Sequence, residues 1–410
     1  MRRTSPRVRQ PDETTGLPWK KLARALGVTR IARVTDLDRT GVEVACAVRP
    51  GGHVLQVSQG KGLAFREAAA GALLEAAELA CAERVDTAEL AWASERDLRA
   101  RKVPHLAPSD LGGEATGEAT GEERLAWREA RDLSSGGPVL APAAALHVPA
   151  QGGPALGLAG TRWTSNGMGA HPSWTSALLH ALLEAVERDQ LARALPVGWT
   201  EGEIAARILS TAAAWGAAPK VASLTERVER RGFDVHLFDL APEGGMGLPV
   251  GGALLFDRQR GPVPLTAGYA CRLGRASALE AALLEAAQSR LTDIHGARED
   301  VVPADGPGVE RLRRACDRAR ARAEVHAGRK APFRPLAGPA KDGEERVGAL
   351  PGWSAPKTRS MQVSTAIRAV LAGMQRAGHD RAVAVDLAPA GLGVHVAKVL
   401  VPGLLLSGLL

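Results

Sequence analysis

A fold that mixes helices and strands, α/β or α+β, is predicted by three observations. Short runs rich in β-branched residues occur at Val42–Val48, Val54–Val57, Val235–Leu240, Val250–Phe256, Ala382–Leu387 and Val394–Val401, the composition of strands. Between them lie stretches dominated by alanine, leucine and glutamate, which are strong helix formers. The third observation is a heptapeptide that occurs three times: ALLEAAE at 72–78, ALLEAVE at 181–187 and ALLEAAQ at 282–288. Each copy follows a glycine-bearing segment, SQGKG at 58–62, SNGMG at 165–169 and GYACRLG at 268–274. Recurrence at roughly hundred-residue spacing reads as one structural unit used three times.

The remaining segments fit around that unit. Residues 1–18 read as a polar tail, and GGEATGEATGEE at 112–123 as a flexible, glycine-punctuated insertion. Residues 301–360 read as a surface excursion, which leaves 19–404 as a single domain. The 410-residue chain has a net charge of +7, and its densest basic run, Arg311 to Lys330, alternates arginine with alanine. That pattern predicts a solvated helix face, with attraction of an acidic peptide as a lesser role. Neither interleaved aromatics nor a groove-reading motif accompanies it, so nucleic acid is not an expected partner.

Cys46, Cys81, Cys271 and Cys316 are far apart and form no C-x-x-C pair, which argues against a disulfide framework or a structural zinc site. The basic start lacks an apolar core, and no apolar run reaches membrane length, since Lys398 and Pro402 interrupt the C-terminal stretch. A soluble, cytoplasmic protein is expected.

The acids carry the chemistry. Glu75 and Glu78 stand i,i+3 on one helix, and Glu184 and Glu187 repeat that arrangement on another. The second of these helices has almost no polar face (Ala177, Leu178, Leu179, Ala181, Leu182, Leu183, Val186) and so is predicted to be buried. Buried carboxylates need cations or protons. Lys61 and Arg188 can supply part of the charge and magnesium the rest, since it takes oxygen ligands and shares them with nucleotide phosphates. Glycine-rich turns beside helix N-termini would hold those phosphates through backbone N–H groups. Physics alone leaves internal salt bridges with nearby arginines on an equal footing with magnesium. The third copy carries Gln288 in place of an acid, so its helix is expected to support the site. Its Ser277 and Glu280 have capping-box spacing. The Walker-A, G-x-G-x-x-G, H-E-x-x-H and G-x-S-x-G patterns are absent from the sequence.

Taken together, SQGKG with ALLEAAE, TSNGMG with ALLHALLEAVERD, EAAQSR with HGARED, and the final VLVPGL resemble the YcaO family, over roughly residues 28–300 and 380–404. The resemblance implies a YcaO-type fold around a nucleotide site, with ATP and Mg2+ as cofactors. It also implies ATP-dependent activation of a peptide backbone amide by O-phosphorylation. A sulfide equivalent then gives a thioamide; a Cys, Ser or Thr side chain gives an azoline ring. By motif position, Glu75, Glu78, Glu184 and Glu187 would hold magnesium, and Lys61 and Arg188 would contact phosphates. Ser165 and Asn166 would hold the nucleotide, with Gln288 and Arg290 in lesser nucleotide-binding roles beside Glu285.

The same blocks look closest to the TfuA-associated branch, which implies thioamide formation. A precursor peptide, and a TfuA-like sulfur-delivery protein or a leader-peptide-binding protein, are then the implied partners, with a homodimer left open. A non-catalytic accessory protein is the reading from a different class. Two segments depart from the family pattern: LLSGLL follows VPGL where an acid is usual, and AHPSWTSA replaces a more polar stretch before the second helix. Among the other residues, Cys271 invites a role in sulfur handling against the plainer reading of a buried thiol. His180 has a packed role as its default and base catalysis as its alternative. Asp189 is expected to pair with Arg188 or to close the acidic cluster. Trp163 and Trp174, which bracket the SNG segment, are expected in the core.

Overall fold

In a computed structural model, residues 19–111, 121–157, 163–216, 219–242, 244–296, 306–328 and 358–405 are described. The 1–18 tail, most of the 112–123 insertion and residues 329–357 of the later excursion lie outside them. After α1 (Trp19–Ala25), the first sheet is built from β1 (Arg30–Arg33), β2 (Glu43–Val48) and β3 (Val57–Gly62), and α2 (Phe65–Glu83) crosses it. Glu67 caps α2 by accepting the N–H groups of Leu63 at 2.9 Å and Ala64 at 3.3 Å.

There follow β4 (Leu90–Ser94), α3 (Glu95–Ala100), β5 (Arg124–Asp132), β6 (Pro138–Pro142), α4 (Ala143–Leu146), β7 (Met168–His171) and α5 (Trp174–Ala194). Helices α6 (Glu201–Arg207), α7 (Thr211–Gly216) and α8 (Pro219–Glu229) lead into a second three-stranded sheet. Its strands are β8 (Phe233–Asp239), β9 (Val250–Asp257) and β10 (Leu265–Cys271), and α9 (Arg275–His295) packs on it. After α10 (Gly306–Gly328) and α11 (Thr358–Arg376), β11 (Val383–Asp386) and β12 (His395–Leu400) complete a six-stranded sheet, ordered β4-β5-β11-β12-β7 with β6 beside β5. Every ladder among the described residues is antiparallel, which selects α+β from the two predicted classes.

The predicted repeat has a spatial counterpart. β3, β7 and β10 each lie at the edge of a sheet, and each is followed by one of the heptapeptide helices. Helix α2 packs on β3 and β7, α5 on β7 and β10, and α9 on β10 and β3. Each helix therefore bridges its own edge strand to that of the next unit, and the third closes the ring on the first.

This arrangement corrects the expectation of glycine turns for the first and third segments, while 165–167 of the second is a turn as expected. Residues 58–62 are strand throughout, and so is the GYAC part of the third segment. The glycines serve close contact instead. A Cβ at Gly169 would lie 2.5 Å from the Ala177 carbonyl oxygen and 2.7 Å from the Ala181 nitrogen, and Gly60 and Gly268 abut the backbones of α2 and α9 in the same way.

Two further expectations are revised. Helix α9 begins at Arg275 with no side-chain cap, so the Ser277–Glu280 box does not form. The basic helix α10 is pinned to the body, not simply solvated: Arg313 bonds Asp234 at 2.6 Å and Arg320 bonds the Val235 carbonyl at 3.1 Å. No helix among the described residues is long and apolar enough to cross a membrane.

The close packing sets an expected outcome. Gly169→Ala should destabilise the protein by about 1–3 kcal/mol, the cost of overpacking, read as a lower midpoint in urea. Gly51→Ala, with nothing within 4 Å of its added Cβ, should stay within about 0.5 kcal/mol. Equal midpoints for the two would contradict the contact.

Candidate active site

The candidate site is built where the three edges meet. A buried backbone N–H requires an acceptor, and an edge strand has no neighbour to provide one. Gln59 in β3, Ala170 in β7 and Cys271 in β10 are buried, and a glutamate carboxylate serves each. Glu75 accepts the Gln59 N–H at 3.0 Å, Glu78 the Ala170 N–H at 2.7 Å and Glu187 the Cys271 N–H at 2.8 Å. The last two of these bonds reach from a helix to the next unit's strand. The third link between units, from α9 to β3, is instead an ion pair from Lys61 Nζ to Glu285 Oε2 at 2.6 Å.

Burial and crowding raise the proton affinity of Glu78, Glu184 and Glu187. Burial pushes the Glu78 carboxyl well above its usual range, and Glu184 and Glu75 add to the effect. Burial carries Glu184 up to about 7, with Glu187 and Glu285 adding to the rise and Arg188 and Lys398 opposing it. Glu187 is raised by burial and then by Glu285. For Glu285 burial acts upward too, but contact with the Lys61 ammonium outweighs it and leaves that carboxyl lowered.

Arg188 stands among these acids without satisfying them. Its Nη2 is 3.5 Å from Glu184 and its Nε is 3.8 Å from Glu187, beyond hydrogen-bond reach. That Nε is buried with no hydrogen-bond partner. Asp189 does not join the cluster: it bonds Arg193 at 2.8 and 2.9 Å and accepts the Leu405 N–H at 2.9 Å.

Three residues at the site were not predicted as part of it, or only as a lesser alternative. Lys398 on β12 is 1 % exposed and donates to the carbonyl oxygens of Thr164 and Asn166, each at 2.6 Å. Burial lowers its pKa to about 8 against the pull of Glu184 and Glu78. Arg272, just after β10, acts electrostatically on Glu187, Glu285 and His180. His180 is one turn before Glu184 and exposed; desolvation of its ring, with Arg272 and Lys61 adding, holds its pKa down to about 4. A charged residue inside the apolar run 394–401 was the available signal for Lys398.

The other predicted residues divide. Ser165 is exposed and Asn166 half-buried on the bend before β7. Gln288 is half-buried on α9, on the same helix as Glu285. Arg290 is 2 % exposed; it bonds Asp38 at 3.0 Å, Asp257 at 2.9 Å and the Val263 carbonyl, and stacks its guanidinium over Phe233 at 5.0 Å. It braces the fold and takes no part in the site proposed below.

Cys271 is fully buried, and burial raises its thiol pKa far above the ordinary value, the state of an inert thiol. Trp163 donates to the Leu146 carbonyl at 3.3 Å, and Trp174 meets His395 edge-on at 6.3 Å.

Among the described residues, no three carboxylates, imidazoles or thiols form a ready-made metal centre. The donor set fits magnesium in its other habit, held by one or two carboxylates and completed by phosphate oxygens and water. The partnerless Arg188 Nε and the loosely paired Glu184 and Glu187 are what a site for an anion and a cation together would contain.

Such a layout suits an enzyme that works on phosphates with a divalent ion. The chain belongs to the YcaO family: the family model described as YcaO cyclodehydratase, ATP- and Mg2+-binding, matches residues 59–405. A Methanothermobacter thermautotrophicus protein known only as uncharacterized is 32 % identical over 319 residues, 75 % of this chain and 78 % of that one. A Rhizobium leguminosarum bv. trifolii protein described by its place in the tfuA 3′ region is 29 % identical over 395 residues, 93 % of this chain and 84 % of that one. Among solved structures, YcaO from Methanopyrus kandleri bound with AMPPCP and Mg2+ matches with a TM-score of 0.63 at 22 % identity, covering 97 % of this chain and 91 % of that one.

The raised acids give a pH dependence. With a pKa of about 7, Glu184 is mostly protonated at pH 6, and a metal ion must displace that proton. Affinity for Mg2+ with AMPPCP should therefore rise about tenfold from pH 6 to pH 8 by calorimetry. A flat profile would contradict the role of Glu184.

Proposed function

We propose that this chain activates a backbone amide of a ribosomally made peptide by ATP-dependent O-phosphorylation and that the product is a thioamide. The observation that carries the activation step is the Arg188 guanidinium, which has a partnerless buried Nε and only distant contacts to Glu184 and Glu187. In this reading Glu75, Glu78, Glu184 and Glu187 hold Mg2+, and Arg188 and Lys61 face the phosphates. Bound ATP would supply the phosphoryl group, and Mg2+ would neutralise charge on it. Lys61 exchanges Glu285 for phosphate oxygen, and Arg188 turns its unused donor to the charge that develops during transfer. Ser165 and Asn166 bound the nucleotide from the bend before β7.

Amide oxygen is a poor leaving group, and phosphorylation converts it into a good one. Sulfide adds to the amide carbon, forming C–S and placing the carbonyl electron pair on oxygen. That oxygen takes the terminal phosphoryl group of ATP as the bond to ADP breaks and ADP departs. C–O then breaks, phosphate leaves with the electron pair, and loss of the sulfur-bound proton gives C=S. The sulfur would come from a partner, since Cys271 is buried and inert. Support for the thioamide product is the TfuA-associated pattern of the motif blocks and the relative from the tfuA 3′ region. The cyclodehydratase description of the family favours a second reading, in which a peptide Cys, Ser or Thr attacks and an azoline forms.

Two measurements test this. Glu184→Gln should weaken AMPPCP–Mg2+ binding by at least about tenfold. In the native host, peptides from wild-type cells should contain a species with oxygen replaced by sulfur that is missing from Glu184→Gln cells. Loss of one water instead would establish the azoline reading, and identical peptide masses in both strains would overturn amide activation.

A further inference from the structure

Lys398 does something the strand around it does not require. Its neighbours Val396, Ala397 and Val399 are buried and apolar, and burying an ammonium among them is costly unless it is well partnered. The partners are two alternate carbonyls of one bend, Thr164 and Asn166. The Trp163 ring stands 5.7 Å from Nζ, and Glu78 and Glu184 act on the same charge. The bend is fixed at one more point, where the Gly167 carbonyl accepts the Val399 N–H at 2.8 Å.

The consequence follows from peptide geometry. A trans peptide holds C=O and N–H in opposite directions, and the chain has no cis bonds among the described residues. With the carbonyls of Thr164 and Asn166 both turned onto Lys398, the N–H groups of Ser165 and Gly167 are turned away from it. Neither N–H has an acceptor among the described residues. Gly167 has φ +72°, the left-handed conformation that glycine adopts without strain and that lets the chain turn here. Ser165 is exposed.

We propose that Lys398 is a positioning residue for the nucleotide site. It presets the 164–167 bend so that its unpaired N–H groups meet phosphate, while its charge also acts on the neighbouring Glu78 and Glu184. The metal-binding and phosphate-binding halves of the site thus assemble as one unit, although Lys398 touches neither ligand. The inference rests on the ATP site proposed above.

The test uses the full chain with AMPPCP and Mg2+ as probes. Lys398→Met should weaken AMPPCP–Mg2+ binding by about tenfold or more, and Lys398→Arg, which keeps charge and donors, should restore most of it. Hydrogen exchange on the unaltered protein should show the Ser165 and Gly167 amides exchanging freely alone and protected with the probes. Failure of the wild type to bind the probes would sink the ATP site itself. Binding by the wild type with equally tight Lys398→Met, or with both amides unprotected, would overturn the positioning role alone. Should Lys398→Met not fold, the arginine variant and the exchange of the two amides decide.

Discussion

A backbone N–H on the edge of a sheet has no strand to bond to, and once that edge is buried the chain must provide an acceptor. Three such edges, β3, β7 and β10, converge here, and for a buried N–H on each the acceptor is a glutamate side chain. Much of the architecture is bound to that choice. The helices that carry the glutamates must lie close enough to reach, so the strands put glycine against them. Each helix must also touch two strands, which orders the three units around one centre.

Using ionisable acceptors concentrates negative charge where water is scarce. A serine or amide could have satisfied the same N–H groups without that cost. Instead the carboxyls of Glu78, Glu184 and Glu187 are all raised, and the cations nearby compensate them incompletely. Arg188 approaches two acids without bonding either closely, and Lys398 spends its donors on carbonyls. The protein alone leaves an electrostatic deficit, which in the reading proposed above a divalent ion carrying phosphates would fill. Family membership and the site's own charge balance lead to the same ligands by separate routes.

Much of this was legible in the sequence. The three heptapeptides marked the helices that line the site, and the acid pairs at i,i+3 marked the residues that meet there. The first and third glycine segments are strand where turns are expected, because glycine in a turn and glycine in a strand pressed onto a helix look alike without the partner backbone. β5, with alternating charge, and the four-residue β7 gave no apolar run to find. Lys398 was read only as a break in hydrophobicity, since its role depends on a bend more than two hundred residues earlier. Arg290 went the other way: its motif position implied phosphate, while Asp38 and Asp257 claim its guanidinium.

The most direct test of the central claim is to locate the ion. Crystals grown with AMPPCP and Mn2+ in place of Mg2+ would show the metal by its anomalous scattering. The account expects peaks between the phosphates and the carboxylates of Glu78, Glu184 and Glu187, with Lys61 released from Glu285 and Arg188 Nε on a phosphate oxygen. Nucleotide bound elsewhere, with the Lys61–Glu285 pair intact and no metal at these acids, would contradict it.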